Sequence, residues 1–597
     1  MDEKIAKVVF NIPVNKEFDY LCTQENIDKG KRVEVEFNRR KMLGIVTSIS
    51  SKTSITNLKS ISNICDTYPS LSEEKLEFAK KLAKKYILTW GEVIFMMLPN
   101  YLKRIKFVDL PPLLSSYIGK DKSKVFVKLN SFYKRYQFYK KQIQEILENN
   151  SVILCLPLID YLKEVSYCIE EDFPGKVVLV HSSNSSRENF LSWLEIRKGR
   201  RLILGTPMSL FYYPEDLGLI ILEEENSPYY SQQKKPYFNI LDIVVMLSEF
   251  KNIKVILSGN YPTLFTYRMY KEDKIILVDG YREDKRIEIL DFKNFYYKRK
   301  NLFTPFVIEL MRKKLEEGKN ILILWSRKNY SLFLRCNQCG YVIKCRRCSS
   351  YLKLSLEKKL CVCSWCGYYE NIVDKCKICN SGYMVPVGVG IERLESIVRK
   401  IFPEFLVSRG EVINPPGIIL GNYNFFNFFV ERKLDIDACF ILDIDNMLSL
   451  VDYETTFNAF IYLKKIACYV KDIYVFTHNP SHYIFESIND SWEKFYEKEL
   501  SLRRQFNFPP YGIMVKVILK GKDKNKLLKR LESLYNRLKE FNLEIFGPVE
   551  EFPFKVRDNY GGALVIKGKN RKMISDICGQ VIQKYKSSAY RITVIVR

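Results

Sequence analysis

Four Cys-x-x-Cys pairs, Cys336/Cys339, Cys345/Cys348, Cys363/Cys366 and Cys376/Cys379, fall within 44 residues of this 597-residue chain. A two-residue spacer lets both thiolates of a turn point at one ion, and two such turns complete a tetrahedral shell of four sulfurs. Eight paired sulfurs therefore predict two zinc ions. Fourteen residues separate Cys348 from Cys363, the spacing of an ordinary four-cysteine ribbon, whereas only five separate Cys339 from Cys345. The expected arrangement is nested, with one ion on Cys336, Cys339, Cys376 and Cys379 and the other on Cys345, Cys348, Cys363 and Cys366. Cysteines acting as small buried hydrophobes would not repeat one spacing four times, and an iron–sulfur cluster would use one set of four and leave the other idle. Cys361, two residues before Cys363, is an alternative ligand. A closed shell of four thiolates leaves no open position for catalysis, so these metals are read as structural. Their binding supplies on the order of 10 kcal/mol of folding free energy to so small a module. Lys344, Arg346, Arg347 and Trp365 on it face DNA, a protein or solvent.

The rest of the chain limits the classes of function. Ninety-five Lys and Arg against 69 Asp and Glu leave a formal charge of +26, which points to a polyanionic partner, nucleic acid first. With 47% apolar, 27% charged and 14% aromatic residues, the chain is neither disordered nor fibrous. Its length suggests about four domains. No apolar run reaches the roughly 18 residues of a membrane span, and Met1-Asp2-Glu3-Lys4 lacks the order of a signal peptide, so a cytoplasmic location and no membrane partner are expected.

Hydrophobic periodicity divides the chain. Residues 1–100 show strand-like alternation, as in Arg32-Val33-Glu34-Val35-Glu36-Phe37, followed by a helix with Ser70 and Glu73 as its capping box. Residues 101–125 read as a linker around Pro111-Pro112. Buried runs such as Val152-Ile153-Leu154 and Leu219-Ile220-Ile221-Leu222 alternate with helical patterns over 126–280, as in a parallel α/β sheet. A second such lobe spans 281–335 and 383–482, interrupted by the cysteine insert at 336–382. Residues 483–597 include the strand-helix-strand-strand-helix-strand order of ferredoxin-like domains. The fold class is thus multidomain α/β.

The cysteine spacing and the following Val385-Pro386-Val387-Gly388-Val389-Gly390-Ile391-Glu392-Arg393-Leu394-Glu395 resemble the bacterial primosomal replication-restart helicases. The likeness continues at Phe18-Asp19-Tyr20 and Gly44-Ile45-Val46, similar to that family's domain for binding a DNA 3′ end. It also covers Leu502-Arg503-Arg504 with Phe508-Pro509-Pro510-Tyr511, similar to its C-terminal domain. The resemblance implies two RecA-like lobes, branched or forked DNA and primosome or helicase-loading proteins as partners, a monomer, and Phe18, Asp19, Tyr20, Arg503 and Arg504 as DNA contacts.

Against that family the motor motifs are degenerate. A phosphate cradle needs glycines and then Lys and Ser/Thr, but the matching stretch reads Lys128-Leu129-Asn130-Ser131-Phe132-Tyr133-Lys134-Arg135. Lys134 is taken as the old lysine. Glu223 and Glu224 stand where an Asp-Glu pair is expected, and Tyr462 to Val470 retains no Gly-Arg. Arginine fingers supply about 10³ to 10⁵ in rate. The expectation is therefore a fork-recognising restart protein that helps reload the replicative helicase, is not an enzyme, and does not use ATP or Mg²⁺. An ATP-dependent 3′–5′ helicase with a divergent site and a zinc-stabilised replisome adaptor are the alternatives. A winged-helix module, expected of the family between Pro99 and residue 126, is predicted absent.

Overall fold

The alternation of the N-terminal segment becomes five strands in the computed structural model: β1 (Lys4–Val9), β2 (Phe18–Cys22), β3 (Arg32–Phe37), β4 (Arg40–Ser50) and β5 (Ile61–Ile64). They form an antiparallel sheet of order β2-β1-β4-β3-β5. Ala6, Val8, Tyr20, Val33, Val35 and Val46 bury one apolar face. The structure describes residues 4–597 except 52–54, 56, 232–235, 281–285, 292–302, 326–332, 340, 347–351, 356–359, 364–367, 381, 388–390, 412, 423–435, 443, 449–451, 557–558 and 586–589.

Helix α1 (Glu73–Tyr86) follows, burying Leu76, Ala79, Leu82, Ala83 and Tyr86 as its stripe requires. Its N-cap is Ser72, which accepts from Lys75 N, rather than the expected Ser70. Ser70 is buried and donates instead to the Asp66 carboxylate. Asp66 also holds Arg32, whose guanidinium is fully buried at 2.6 Å. The remaining Arg32 donors reach Leu102 O at 2.7 Å and Lys106 O at 3.3 Å, so the buried cation secures the chain that leaves the domain. That chain, 104–123, carries no helix and lies across lobe 1, with Arg197 donating to Pro111 O and Gly119 N to Lys251 O.

Lobe 1 comprises β6 (Lys124–Lys128), β7 (Ser151–Cys155), β8 (Val177–Val180), β9 (Leu202–Gly205), β10 (Leu217–Leu222), β11 (Lys254–Gly259) and β12 (Ile276–Asp279). They pair in parallel in the order β12-β6-β11-β10-β7-β9-β8. Every residue of β10 is buried, as expected of a central strand covered on both faces. Helix α2 (Phe132–Leu147) follows β6 and α3 (Leu264–Lys271) follows β11.

Lobe 2 begins with β13 (Ile287–Asp291) and β14 (Ile321–Leu324). The cysteine insert contributes a ladder of β15 (Phe333–Cys336) with β19 (Met384–Val387), and a small sheet of β16 (Lys353–Ser355), β17 (Leu360–Val362) and β18 (Tyr369–Asn371). The lobe resumes with β20 (Leu406–Arg409), β21 (Gly417–Gly421), β22 (Ala438–Ile441) and β23 (Asp472–Thr477), giving the parallel order β13-β23-β22-β14-β21-β20. Helix α4 (Thr455–Tyr469) belongs to this lobe, and α5 (Trp492–Gln505) leads out of it. The C-terminal unit sets β24 (Ile513–Gly521), β25 (Glu544–Val556), β26 (Asn559–Gly568) and β27 (Arg591–Val596) in the order β25-β26-β24-β27, with α6 (Lys524–Lys539) and α7 (Arg571–Tyr585) between strands. All its strand pairs are antiparallel, the ferredoxin-like arrangement.

One apolar core runs from α1 through lobe 1 into the C-terminal unit, and a second lies under lobe 2 and reaches α3 of lobe 1. Buried ion pairs reinforce the first, with Lys75 on Glu215 at 3.1 Å and Lys251 on Glu74 at 2.9 Å. Removing one partner of a buried pair leaves an uncompensated charge, so Asp66→Ala is expected to cost about 3 to 5 kcal/mol in denaturant unfolding. A cost below about 1 kcal/mol, typical of an exposed pair, would contradict this.

Candidate functional site

The cysteine insert brings one of the two expected sets together. The sulfurs of Cys336, Cys339, Cys376 and Cys379 all lie within 4.8 Å of one another. Cys336 Sγ is 3.6 Å from Cys379 Sγ, and Cys339 Sγ is 3.6 Å from Cys376 Sγ. Four thiolates at about 2.3 Å around a tetrahedral ion would stand about 3.8 Å apart, so this donor set fits a metal ion. Backbone N–H groups of Gln338 and Cys339 point at Cys336 Sγ, that of Ile378 at Cys376 Sγ, and that of Gly382 at Cys379 Sγ, each at 3.4 Å. At Cys336 the backbone N–H of Cys339, with that of Gln338, holds the thiol below its ordinary range and so favours the thiolate form that a metal requires. Of the second set, Cys345 and Cys363 are buried, while Cys348 and Cys366 lie outside the described residues. Cys361, the alternative ligand, is buried on β17.

The cleft between the lobes is built around Glu223, at the end of β10. Its side chain is fully buried. One carboxylate oxygen accepts from Arg135 Nε at 2.8 Å and Nη2 at 2.5 Å and from Tyr161 OH at 2.9 Å. The other accepts from Tyr139 OH at 3.0 Å and Ser258 Oγ at 2.6 Å. Arg135 completes its fork on Leu129 O at 2.6 Å, Asn260 Oδ1 at 3.1 Å and Glu224 Oε1 at 2.8 Å. These make five contacts, one for each guanidinium N–H. Burial would discharge Arg135, but Glu223 and Glu224 outweigh it and hold the cation more firmly charged than usual. Burial pushes the Tyr139 and Tyr161 hydroxyls well up, with Glu223 adding to it.

Glu224 takes the left-handed conformation, φ 52°, which turns its side chain across the cleft toward lobe 2. There Lys465 of α4 meets its Oε2 at 3.0 Å. Desolvation would raise the Glu224 pKa, but Lys465 and Arg135 prevail and hold the carboxylate below its ordinary range. Tyr469, one turn on, donates to Asn130 O at 3.2 Å and accepts from Asn260 Nδ2 at 3.5 Å. Glu225 faces elsewhere: burial pushes its pKa up to about 7, while Thr266 Oγ1 and Thr263 N, each at 2.7 Å, favour its charged form.

Lys134 lies exposed in the first turn of α2, where only its backbone N–H caps onto Ser131 Oγ. The neighbouring Arg135 is the cation that meets Glu223. Sequence reasoning sought a lysine and missed it, although Arg135 precedes Tyr139 by four residues and so shares its buried helix face. The lysine-rich stretch read as a lost finger is the C-terminal half of α4, and supplies Lys465.

Among the expected DNA contacts, Phe18 packs against Phe10 and Phe37, and Tyr20 is buried with its hydroxyl on Glu36 O at 3.2 Å. Asp19 points to the opposite side of β2. Arg503 is buried and committed to Glu499, Pro509 O and Tyr453 O. Arg504 is the outward cation of the pair, over the Tyr511 ring at 5.8 Å.

A family model described as the 3′ DNA-binding domain matches residues 7–99, and one described as the primosomal protein N C-terminal domain matches 504–597. The replication restart protein PriA of Borreliella burgdorferi is 24% identical over 98% of this chain and 96% of its own. That of Rickettsia prowazekii is 23% identical, over 94% of each. Among solved structures, S. cerevisiae Dbp5 bound to RNA and ADP BeF3 is 10% identical, covering 72% of this chain and 98% of that one, with TM-score 0.34. RecG bound to a three-way DNA junction is 10% identical, covering 71% of this chain and 46% of that one, with TM-score 0.33. The expectation that the chain is not an enzyme is corrected by these comparisons. Its matches over nearly the whole length are replication restart proteins, those of Borreliella burgdorferi and Rickettsia prowazekii among them. Altered motif residues do not by themselves define a non-enzyme.

For the cysteine centre, Cys376→Ser is expected to remove about one equivalent of bound metal per chain, read by elemental mass spectrometry, because a structural site requires four ligands. An unchanged metal content would contradict the assignment of these four sulfurs. Two domain models in the right order at the two ends, and restart proteins aligned over nearly the whole length between them, make this chain similar from end to end to the PriA replication restart proteins.

Proposed function

We propose that this protein recognises branched or stalled replication forks and helps reload the replicative helicase through primosome and helicase-loading partners, acting as a cytoplasmic monomer. The observation that carries this reading is the 3′ DNA-binding domain match over 7–99, which coincides with the β1–β5 sheet and α1. Charge supports it. Residues 504–597 alone carry 20 Lys and Arg against 8 Asp and Glu, within a chain of formal charge +26. Cations that neutralise phosphates release counterions and give salt-sensitive binding.

The cysteine insert is assigned two zinc ions in the nested arrangement, on Cys336, Cys339, Cys376 and Cys379 and on Cys345, Cys348, Cys363 and Cys366. Bound zinc would neutralise the gathered thiolates and hold the insert's short strands together. The support is the fit of the first four sulfurs to a tetrahedral shell.

The test is equilibrium binding of the full chain to a synthetic fork, to the same fork with its 3′ end blocked, and to duplex of equal length, across a salt series. Open forks are expected to bind most tightly. Affinity is expected to fall by about 10³ or more between roughly 50 and 200 mM salt, as for proteins with several phosphate contacts. Equal affinity for fork and duplex would contradict fork recognition, and binding indifferent to salt would instead favour an adaptor that touches no phosphates.

A further inference from the structure

Among the described residues, two unlike contacts join the two lobes. Behind the cleft, α3 of lobe 1 packs on α5 through aromatic rings, with Tyr267 at 5.2 Å from Trp492 and 5.0 Å from Tyr496. Tyr496 OH donates to Pro262 O at 2.5 Å, and Tyr261, Leu264 and Tyr267 share one apolar core with lobe 2. Across the cleft the contact is polar: Lys465 on Glu224, and Tyr469 on Asn130 and Asn260.

The polar contact is placed so that it can break alone. Glu223 and Arg135 have 0% and 2% of their side-chain surface exposed, whereas Lys465 and Glu224 have 15% and 14%. Water can therefore reach the second pair and replace its hydrogen bonds. If Lys465 withdraws, Glu224 keeps Arg135 on its other oxygen, so lobe 1 retains a compensated charge cluster. Apolar packing has no comparable switch, because it is non-directional and lost in proportion to area.

We infer that Lys465–Glu224, with Tyr469–Asn130, is a releasable clamp that closes the cleft between the lobes, while the aromatic α3–α5 contact is the fixed hinge about which they part. The clamp consists wholly of protein groups, so the closed arrangement belongs to the protein by itself. Among the described residues, opening gives up the Lys465–Glu224 ion pair and the Tyr469 hydrogen bonds to Asn130 and Asn260, all carried by α4 on the lobe 2 side.

Hydrogen exchange and small-angle scattering on the full-length protein without DNA test this independently of any role at forks. In Lys465→Met, amide exchange around 129–135 and 465–470 should rise at least about tenfold, since a partly buried ion pair has lost one partner. Peptides of α3 and α5 should keep wild-type protection, and the radius of gyration should increase. Glu224→Gln should act alike, the double variant should add little, and Lys465→Arg should retain closure. Unchanged exchange at the cleft in folded Lys465→Met would overturn the clamp, as would protection lost evenly through both lobes. Should that variant fail to fold, Tyr469→Phe decides: a local rise supports the clamp and wild-type exchange overturns it.

Discussion

A carboxylate in a protein interior is tolerated only where charge and hydrogen bonds replace the water it has lost. Glu223 meets that condition with five hydrogen bonds drawn from α2, from Tyr161 in the helix after β7, and from β11. Its main partner, Arg135, in turn fixes the loop after β6 through Leu129 O and the end of β11 through Asn260. One ion pair thus sets the relative positions of three strand ends at the carboxyl edge of the lobe 1 sheet, where α/β proteins place their sites. Glu224 shares Arg135 with Glu223 through one oxygen and meets Lys465 of lobe 2 with the other.

A second level of organisation follows from how the domains attach. The N-terminal helix and the C-terminal unit share a continuous core with lobe 1. At their junction Asp242 takes Lys85 at 2.5 Å, the Tyr86 hydroxyl at 2.9 Å and Arg571 at 3.4 Å. Burial would raise its pKa, but Lys85 and Arg571 keep it lowered. Lobe 1 is therefore a platform carrying both matched end domains, and lobe 2 joins it through the aromatic hinge and the polar contact of α4.

Local pattern carried much of this into view. The equal cysteine spacings anticipated the gathering of Cys336, Cys339, Cys376 and Cys379, and continuous apolar runs such as Leu219-Ile220-Ile221-Leu222 anticipated a buried parallel sheet. The C-terminal order of strands and helices is likewise written in period and turn residues. What the pattern could not convey depends on contacts distant in sequence. Arg135 and Glu223 are 88 residues apart, Glu224 and Lys465 are 241 apart, and Arg32 and Asp66 are 34 apart. The Ser70 cap failed for a local reason instead: the buried Asp66 carboxylate, four residues earlier, took the Ser70 hydroxyl, and Ser72 caps the helix. Reading degenerate motifs as absence of enzyme function overreached, since motif residues report chemistry only when their partners are known.

The central claim is that Arg135 and Glu223 act as one buried unit on which the cleft is built. A thermodynamic double-mutant cycle with Arg135→Met, Glu223→Gln and the pair, followed by denaturant unfolding, measures it directly. Each single change should cost about 3 to 5 kcal/mol and the double change far less than their sum, because neither charge is then left alone in the interior. Strictly additive losses, or singles that cost no more than an exposed pair, would contradict it.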